Sequence, residues 1–210
     1  MTGAGAVPVR AGVEDARPAG ERRRVANSLL WAGAVTAGLL LGAAVASWVT
    51  WLGAVVGLAA VAVAACLVGG AWHRSGAALT VSFAGFALML FATPAVYEGY
   101  MGAVGEPVDA VVLQVVDEDR RRGPDLFCTL QELDGERRVH RVSQLENCFG
   151  QAKAGDRVTI TEDPLGLLDP RMPNGPGQED SRRITLAATV GLTALVLGTT
   201  AYAGLRRRGR

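Results

Sequence analysis

The chain consists of long apolar stretches separated by one polar stretch. Residues 25–97 and 184–205 are almost free of charged side chains, whereas residues 98–183 contain most of the acids. The run Val25–Trp72 extends for about 48 residues without Asp, Glu, Lys, Arg or His. One membrane-spanning helix needs roughly 20 apolar residues, so this run is too long for one span and suits two. The pattern therefore predicts a helical hairpin in a lipid bilayer.

Two further apolar segments complete a prediction of four transmembrane helices. A short polar turn at residues 73–76 precedes the third helix, and Arg182 and Arg183 precede the fourth. Pro94 removes a backbone hydrogen bond and is expected to bend the last turn of the third helix. Residues 1–24 have no hydrophobic period and are predicted to form a disordered cytoplasmic tail. The predicted spans are residues 27–46, 52–72, 77–97 and 184–205, followed by a basic cytoplasmic tail at residues 206–210.

Arginines indicate the orientation of these helices. They lie in the N-terminal tail, in the turn at residues 73–76 and at the C-terminus, and positive charges near helix ends favour the cytoplasm. Both termini are therefore expected to be cytoplasmic and residues 98–183 extracytoplasmic, in the plasma membrane. A basic run before an apolar one also resembles a secretory signal, with Ala44-Val45-Ala46 as its cleavage site. The long tail and the second span that follows at once make cleavage the less favoured alternative.

Tryptophans and glycines fit the same arrangement. Tryptophan favours the bilayer interface, and Trp31 and Trp72 lie near the predicted edge opposite the turn that joins the first two spans. Two small-xxx-small patterns predict close helix packing, either within the bundle or between two copies. The candidate packing residues are Gly38, Gly42, Gly53 and Gly57. The candidate membrane-edge residues are Arg22, Arg23, Arg24, Arg206, Arg207, Arg208, Trp48 and Trp51.

The polar stretch is predicted to form a small β-rich module, either barrel-like or a curled sheet. An Asp134-Gly135 pair predicts a hairpin turn, because glycine tolerates positive φ. Ser143 and Glu146 have capping-box spacing, which predicts a short helix that ends by Gly150. The Pro- and Gly-rich residues 164–177 are predicted to be a tether back to the membrane. The predicted strands are residues 108–116, 125–132, 137–142 and 157–161.

Three cysteines are present, and two of them lie in the module. A module of roughly 70 residues is only marginally stable from its core alone. Outside the cytoplasm, a disulfide between Cys128 and Cys148 would close about 20 residues and add around 3 kcal/mol. Two buried free thiols are the alternative. Cys66 lies in an apolar run and is interpreted as a residue that faces lipid or packs between helices.

The order of these segments resembles that of a family of small bacterial membrane proteins without an assigned function. The resemblance rests on Val108–Val112, Leu133–Gly135, Gly155–Ile160 and the Asp163-Pro164 pair, which follow the first helices. It implies a β-module between transmembrane helices and supplies no catalytic residues. The Ala-, Gly- and Arg-rich composition is typical of a high-GC actinobacterium. This chain departs from the family in having two cysteines in the module and a long N-terminal tail.

No group of residues in the sequence indicates catalysis, a cofactor or a metal. His140 stands alone in a predicted strand, without a second His or a Cys at ligand spacing. Glu162 and Asp163 are adjacent, so their side chains are expected to point apart in a strand. Asp117–Asp119 precede Arg120–Arg122, which predicts a solvated hairpin loop with compensated charge.

The leading hypothesis is a non-enzymatic membrane protein that displays the module to a protein or envelope component. The expected partners are the bilayer and either another protein or a second copy, while the basic runs lack the interleaved aromatic residues of nucleic-acid binding. An envelope enzyme is the alternative, which converging carboxylates or a deep polar pocket would favour, whereas an exposed apolar patch would favour binding. A transporter is disfavoured, because the polar residues of the spans can bond their own helix backbone. These residues are Thr36, Thr80, Ser82, Thr189 and Thr193.

Overall fold

The computed structural model describes residues 19–206, except for residues 122, 136, 176 and 177. The predicted disorder of residues 1–18 and the predicted edge residues Arg207 and Arg208 therefore lie outside the described chain. Four helices are present in it: α1 (Ala19–Ala46), α2 (Thr50–Ala65), α3 (Ser75–Val104) and α4 (Gln178–Leu205). A π-helical segment, Cys66–Ala71, continues α2. Four strands lie between α3 and α4, namely β1 (Glu106–Asp117), β2 (Leu126–Glu132), β3 (Val139–Ser143) and β4 (Arg157–Glu162).

Four helices are long and apolar enough to cross a membrane, as the sequence predicts. Their ends differ from the predicted ones. The helix α1 begins at Ala19, so residues 19–24, predicted to be disordered, are helical; Ala, Glu and Arg favour helices and extend the apolar part without a break. Pro94 does not lie in a last turn, because α3 continues to Val104.

The helices form an up-down bundle around an apolar core. Leu39, Leu88 and Val196 lie at its centre with no exposed surface. The guanidinium of Arg74, before α3, donates to the backbone carbonyl of Arg206, after α4, at 2.5 Å. The start of α1, the end of α2, the start of α3 and the end of α4 thus share one end of the bundle, which we call the arginine end. The other end carries the strands, and we call it the module end.

The strands form one antiparallel sheet in the order β3-β2-β1-β4. The first strand is central, since β1 pairs with both β2 and β4. The register shifts between Val112 and Gln114, which places an extra residue in β1 at a bulge. The order leaves β3 and β4 as edge strands, so the sheet is open rather than closed into a barrel.

One face of the sheet is buried, and it forms the core of the module, residues 105–175. Ala110, Val112, Leu130 and Ile160 are fully buried on this face. The predicted hairpin turn contains Gly135 with a φ of +69°. The predicted short helix is a 3-10 turn, Gln144–Glu146, with the capping box formed, and it ends before Gly150 as predicted. A left-handed conformation at Asn147 ends the turn.

Candidate functional site

One carboxylate on α3 contacts both the module and α4. One oxygen of Glu98 accepts a hydrogen bond from Arg171 at 3.0 Å, and the other lies 3.6 Å from Nε of Arg182 on α4. The backbone of Arg171 is itself fixed, because it pairs with Thr161 of β4 through both its N–H and its C=O. Glu98 thus connects the end of α3, the segment after β4 and the start of α4. We call these three ionic side chains the junction.

Two tyrosines of α3 hold the segment that follows β4. The hydroxyl of Tyr97 donates to the backbone carbonyl of Asp169 at 3.0 Å, and the hydroxyl of Tyr100 donates to the carboxylate of Asp163 at 2.9 Å. Residues 163–169 form a turn that we call the capped loop. The Asp163 carboxylate also accepts three backbone hydrogen bonds, from Leu165, Leu167 and Leu168. Burial raises the pKa of Asp163, but these amides and Tyr100 outweigh it, so that the pKa lies below its ordinary value of 3.8.

The module contains the predicted disulfide. The Sγ atoms of Cys128 and Cys148 lie 2.00 Å apart, and both residues are fully buried. Next to the disulfide, the side-chain amide of Asn147 donates to the carbonyls of Met172 and Pro173 at 3.1 and 2.8 Å. The disulfide and this amide fix the segment after β3 against both the sheet and the segment that leads to α4.

A group of charged side chains meets at one end of the buried face of the sheet. Nε2 of His140 donates to the carboxylate of Glu132 at 2.6 Å. The guanidinium of Arg138 lies 3.3 Å from the same oxygen of Glu132 and 2.9 Å from the carboxylate of Glu162. We call these four residues the carboxylate–histidine cluster. No second His or Cys lies at ligand spacing from His140 in the sequence, but the prediction misses the two carboxylates, Glu132 of β2 and Glu162 of β4, that the fold brings near this side chain.

The chemistry of this cluster follows from its charges. Burial raises the pKa of Glu132, but the hydrogen bond from His140 and the charge of Arg138 lower it more strongly, to below its ordinary value of 4.5. One ligand atom each of Glu132, His140 and Glu162 could approach a common ion, since these atoms lie within 4.8 Å of one another. Arg138 already supplies the positive charge to both carboxylates. One guanidinium thus faces two carboxylates, so the charge of the cluster is compensated only in part by its own residues.

The alternation of side chains along β2 indicates part of this cluster. Cys128, Leu130 and Glu132 share one face of β2, because side chains two residues apart point the same way. An acid that continues an apolar face must be paired when it is buried, which predicts a partner for Glu132. The partner itself depends on the register of β2 with β3, which places Leu130 opposite His140. As predicted, Glu162 and Asp163 point apart, toward the cluster and toward Tyr100 respectively.

The four predicted packing glycines lie between helices of the same chain. A Cβ atom on Gly42 would lie 2.8 Å from the backbone nitrogen of Gly57. A Cβ on Gly53 would overlap the backbone of Ala46, and one on Gly57 would overlap the side chain of Met89. Gly38 is less tight, at 3.3 Å from the Cβ of Ala60. The small residues thus allow α1, α2 and α3 to approach each other.

The predicted membrane-edge residues divide between the two ends of the bundle. Arg22, Arg23 and Arg24 are exposed on the first turns of α1, at the arginine end, where Arg206 also lies. Trp48 and Trp51 are exposed between α1 and α2, at the module end. Trp72 was predicted to lie near a membrane edge, but its ring is buried in the structure. It is 3% exposed, because its ring packs over Gly204 of α4.

Threonines in the helices bond to their own backbone, as predicted. The hydroxyl of Thr36 donates to the carbonyl of Ala32 at 2.9 Å, and Thr193 donates to Thr189 at 2.7 Å. Thr80 and Thr189 make the same bond to the residue four positions earlier. These hydroxyls are therefore satisfied locally and leave the helix surfaces apolar.

The hairpin loop after β1 also agrees with its prediction, because Glu118 pairs with Arg120 and Arg141.

The chain was compared with protein-family models, with curated proteins and with solved structures. None of the three comparisons gave a match.

Proposed function

We propose that this chain is a plasma-membrane protein of four transmembrane helices that holds its module outside the cytoplasm, where the module binds a protein or envelope component. The observation that carries the proposal is the separation of two features along one bundle. More arginines lie at the arginine end (Arg22–Arg24, Arg74 and Arg206) than at the module end (Arg171, Arg182 and Arg183), and the disulfide of Cys128 and Cys148 lies in the module. Positive charge favours the cytoplasmic side, while disulfides persist in oxidising compartments. Both features therefore support the same orientation.

Exposed apolar side chains support a lipid environment for the bundle. Leu30, Phe83 and Leu90 are each more than two-thirds exposed on the outside of the helices. Water would have to solvate this continuous apolar surface, which is far larger than the patches that soluble monomers expose. In lipid the same side chains need no further partner, and the hydrogen bonds of the helix backbone are already made.

The spacing of polar groups along two helices supports the same conclusion. Arg74 and Glu98 flank the apolar part of α3, and Arg182 and Arg206 flank that of α4. In both helices the two positions are 24 residues apart, or about 36 Å at 1.5 Å per residue. This distance exceeds the roughly 30 Å hydrocarbon core and stays within the 40–45 Å of a bilayer with its headgroups. Contacts between α3 and α4 hold Arg74 beside Arg206 at one end and Glu98 beside Arg182 at the other.

Two exposed apolar side chains of the module favour binding as its role. Leu145 and Phe149 are 74% and 55% exposed on the segment that carries Cys148. This segment is fixed by the disulfide and by Asn147, so a partner would meet a preformed surface and lose little entropy in ordering it. The converging carboxylates of the carboxylate–histidine cluster would favour the enzyme alternative. Since Arg138 is bound to both carboxylates and Glu132 is buried, we favour binding.

The orientation is tested by labelling single cysteines in cells. In a Cys66→Ala background, Asp134→Cys places a thiol on the exposed hairpin turn of the module, and Ser75→Cys places one at the arginine end. A membrane-impermeant maleimide should label Cys at position 134 in intact cells, and position 75 only after lysis. The reverse pattern would overturn the proposed orientation, and labelling of both positions in intact cells would contradict a single orientation.

Binding is tested by photo-crosslinking in the native host. A photoreactive amino acid at position 149 should give a discrete crosslinked protein, whereas the same group at Lys153, exposed on the same segment, serves as the matched control. An adduct that forms at position 149 and not at position 153 supports a protein contact there. Equal crosslinking at both positions, or none at 145 and 149, would contradict this surface as the binding site.

A further inference from the structure

We infer that the capped loop, Asp163–Asp169, is a membrane-inserting element whose tip enters the outer bilayer interface beside α3. The inference rests on the proposed insertion of the helices and adds a lipid contact made by the module itself. The sequence predicts only a tether at residues 164–177. The capped loop differs from a tether in its height along α3, its backbone hydrogen bonds and its side chains.

The contacts with α3 define the height of the loop. Twenty residues of helix span the roughly 30 Å hydrocarbon core, so a span that starts at Ala77 ends at about Tyr97. Tyr97 holds the carbonyl of Asp169, and Tyr100, less than one turn further, holds Asp163. Both ends of the loop are therefore fixed at the level where the apolar part of α3 ends. Trp48 and Trp51 are exposed at the same end of the bundle, where indole rings favour the interface.

The backbone N–H groups of residues 165–168 are satisfied within the loop itself. Pro164 has no N–H group, and Gly166 donates to the carbonyl of Asp163 at 2.9 Å. The other three amides donate to the carboxylate of the same Asp163, at 2.9 to 3.1 Å, which satisfies Leu165, Leu167 and Leu168. An unpaired backbone donor costs several kcal/mol in hydrocarbon. Every donor from 164 to 168 has an internal acceptor, which lowers the cost of placing the turn at the bilayer interface, where headgroups and water can still reach the carbonyls.

The side chains of the tip are apolar and point outward. Leu165 and Leu167 are 67% and 61% exposed, with Gly166 between them and Pro164 before them. Gly166 has a φ of +64°, which turns the chain and presents both leucines on the outside. Asp163, the charged residue that organises the loop, is 1% exposed and faces inward. The tip of the loop therefore presents apolar groups outward and keeps the charge of Asp163 covered, while Asp169, at the end of the loop beside Tyr97, is exposed.

Lipid is favoured over a protein as the occupant of this surface because the loop continues the outer surface of α3. A protein partner would have to bind at the bilayer edge, where lipid surrounds the helix already. The two leucines would gain free energy from leaving water, as apolar side chains do at membrane interfaces. Their insertion would fix the module close to the membrane from one side.

Depth measurements on spin-labelled full-length protein in lipid nanodiscs test the inference. In the Cys66→Ala background, a maleimide nitroxide is attached to Leu167→Cys, and its collision rates with oxygen and with a water-soluble nickel complex are compared. Leu186→Cys, on the exposed face of α4, is the lipid control, and Asp134→Cys is the water control. Mass spectrometry of the closed Cys128–Cys148 disulfide in each variant verifies that the module is folded.

We expect the oxygen-to-nickel ratio at position 167 to lie well above that at position 134 and to approach that at position 186. A lipid-like value at position 186 with a water-like value at 167 would overturn the inference and leave the proposed membrane insertion intact. Water-like values at both positions would overturn both. A label at 167 that is immobile and protected from both reagents would indicate a protein contact and would also overturn the lipid assignment.

A second variant tests the role of Asp163 in positioning the tip. Asp163→Asn replaces one of the two acceptor oxygens by an NH2 donor, so either Leu165 or the pair Leu167 and Leu168 loses its acceptor. The ratio at position 167 should then fall toward the water control while the disulfide stays closed. An unchanged ratio would overturn the role given to the carboxylate.

Discussion

Glu132 places a carboxylate at the end of an otherwise apolar face of β2. Its pKa is lowered in the folded protein, so its ionisation stabilises the fold above its ordinary value of 4.5, and this contribution is lost as the pH falls through the folded pKa. Glu132→Gln should destabilise the module at pH 7 by about 1–3 kcal/mol, the range for a buried hydrogen bond to a charged group. The measurement is amide hydrogen exchange of β2 and β3 in the full-length protein.

The same variant predicts a change in pH dependence. Wild type should lose protection between pH 5 and about 3, whereas Glu132→Gln should lose less, with the remainder due to Asp163, whose pKa is also lowered. Glu106→Gln changes an exposed carboxylate of β1 and should behave like wild type. An acid response of Glu132→Gln equal to that of wild type would contradict the role of Glu132.

Gly42 is a residue whose missing side chain sets the distance between two helices. Gly42→Leu should separate α1 from α2, because even its Cβ would lie 2.8 Å from backbone of Gly57. We expect a loss of about 1–3 kcal/mol, the cost of overpacking, measured as a lower midpoint of thermal unfolding in detergent. Gly33→Leu is the matched control, since nothing lies within 4 Å of a Cβ there. Equal losses in both variants would contradict close packing at Gly42.

At the scale of elements, the disulfide joins β2 to the segment after β3. Replacing both Cys128 and Cys148 by serine opens a loop of 20 residues, which should lower the stability of the module by around 3 kcal/mol. Hydrogen exchange should increase in β2, β3 and the 3-10 turn while α1–α4 stay protected. If all parts of the chain lose protection equally, the module and the bundle unfold together and the disulfide does not act locally.

Elements could be predicted from the sequence where one local pattern decides them. The uncharged runs give four helices, and alternation with the Asp134-Gly135 turn gives β2 and β3. Helix ends were missed because polar residues with good helix propensity extend an apolar helix without a break, as at Ala19 and Gln178. The burial of Trp72 was missed for another reason. It depends on Gly204, 132 residues later, and no local pattern records that contact.

The candidate sites were less predictable than the elements, because each combines residues from distant parts of the chain. The spacing of Cys128 and Cys148 indicates a pair, since only two cysteines lie in the polar stretch. Glu98 and Arg171 are 73 residues apart, and Tyr100 and Asp163 are 63 apart. These contacts exist because β1 and β4 pair in antiparallel register at the end of α3. The register must therefore be known before either contact can be inferred.

At the scale of the whole molecule, the module is attached to the bundle at more than its two chain connections. A short connection leads from α3 to β1 through Gly105. The second connection, from β4 to α4, is longer and is held by Glu98, by the capped loop and by Asn147. These contacts fix the proposed binding segment around Phe149 relative to the plane in which the helices end. A partner would thus meet the module at a defined height and angle.

Glu98 is the residue that tests this attachment, because its carboxylate contacts both Arg171 and Arg182. Glu98→Gln removes the charge while keeping the length of the side chain, so both arginines lose their ion pair and only one of them keeps an acceptor oxygen. The distance distribution between nitroxides at positions 75 and 134, measured by pulsed EPR in nanodiscs, should broaden relative to that of the Cys66→Ala background. Glu106→Gln, which changes a carboxylate close to the same helix end, should leave the distribution unchanged. A distribution as narrow in Glu98→Gln as in the background would show that the capped loop and the sheet hold the module without the junction.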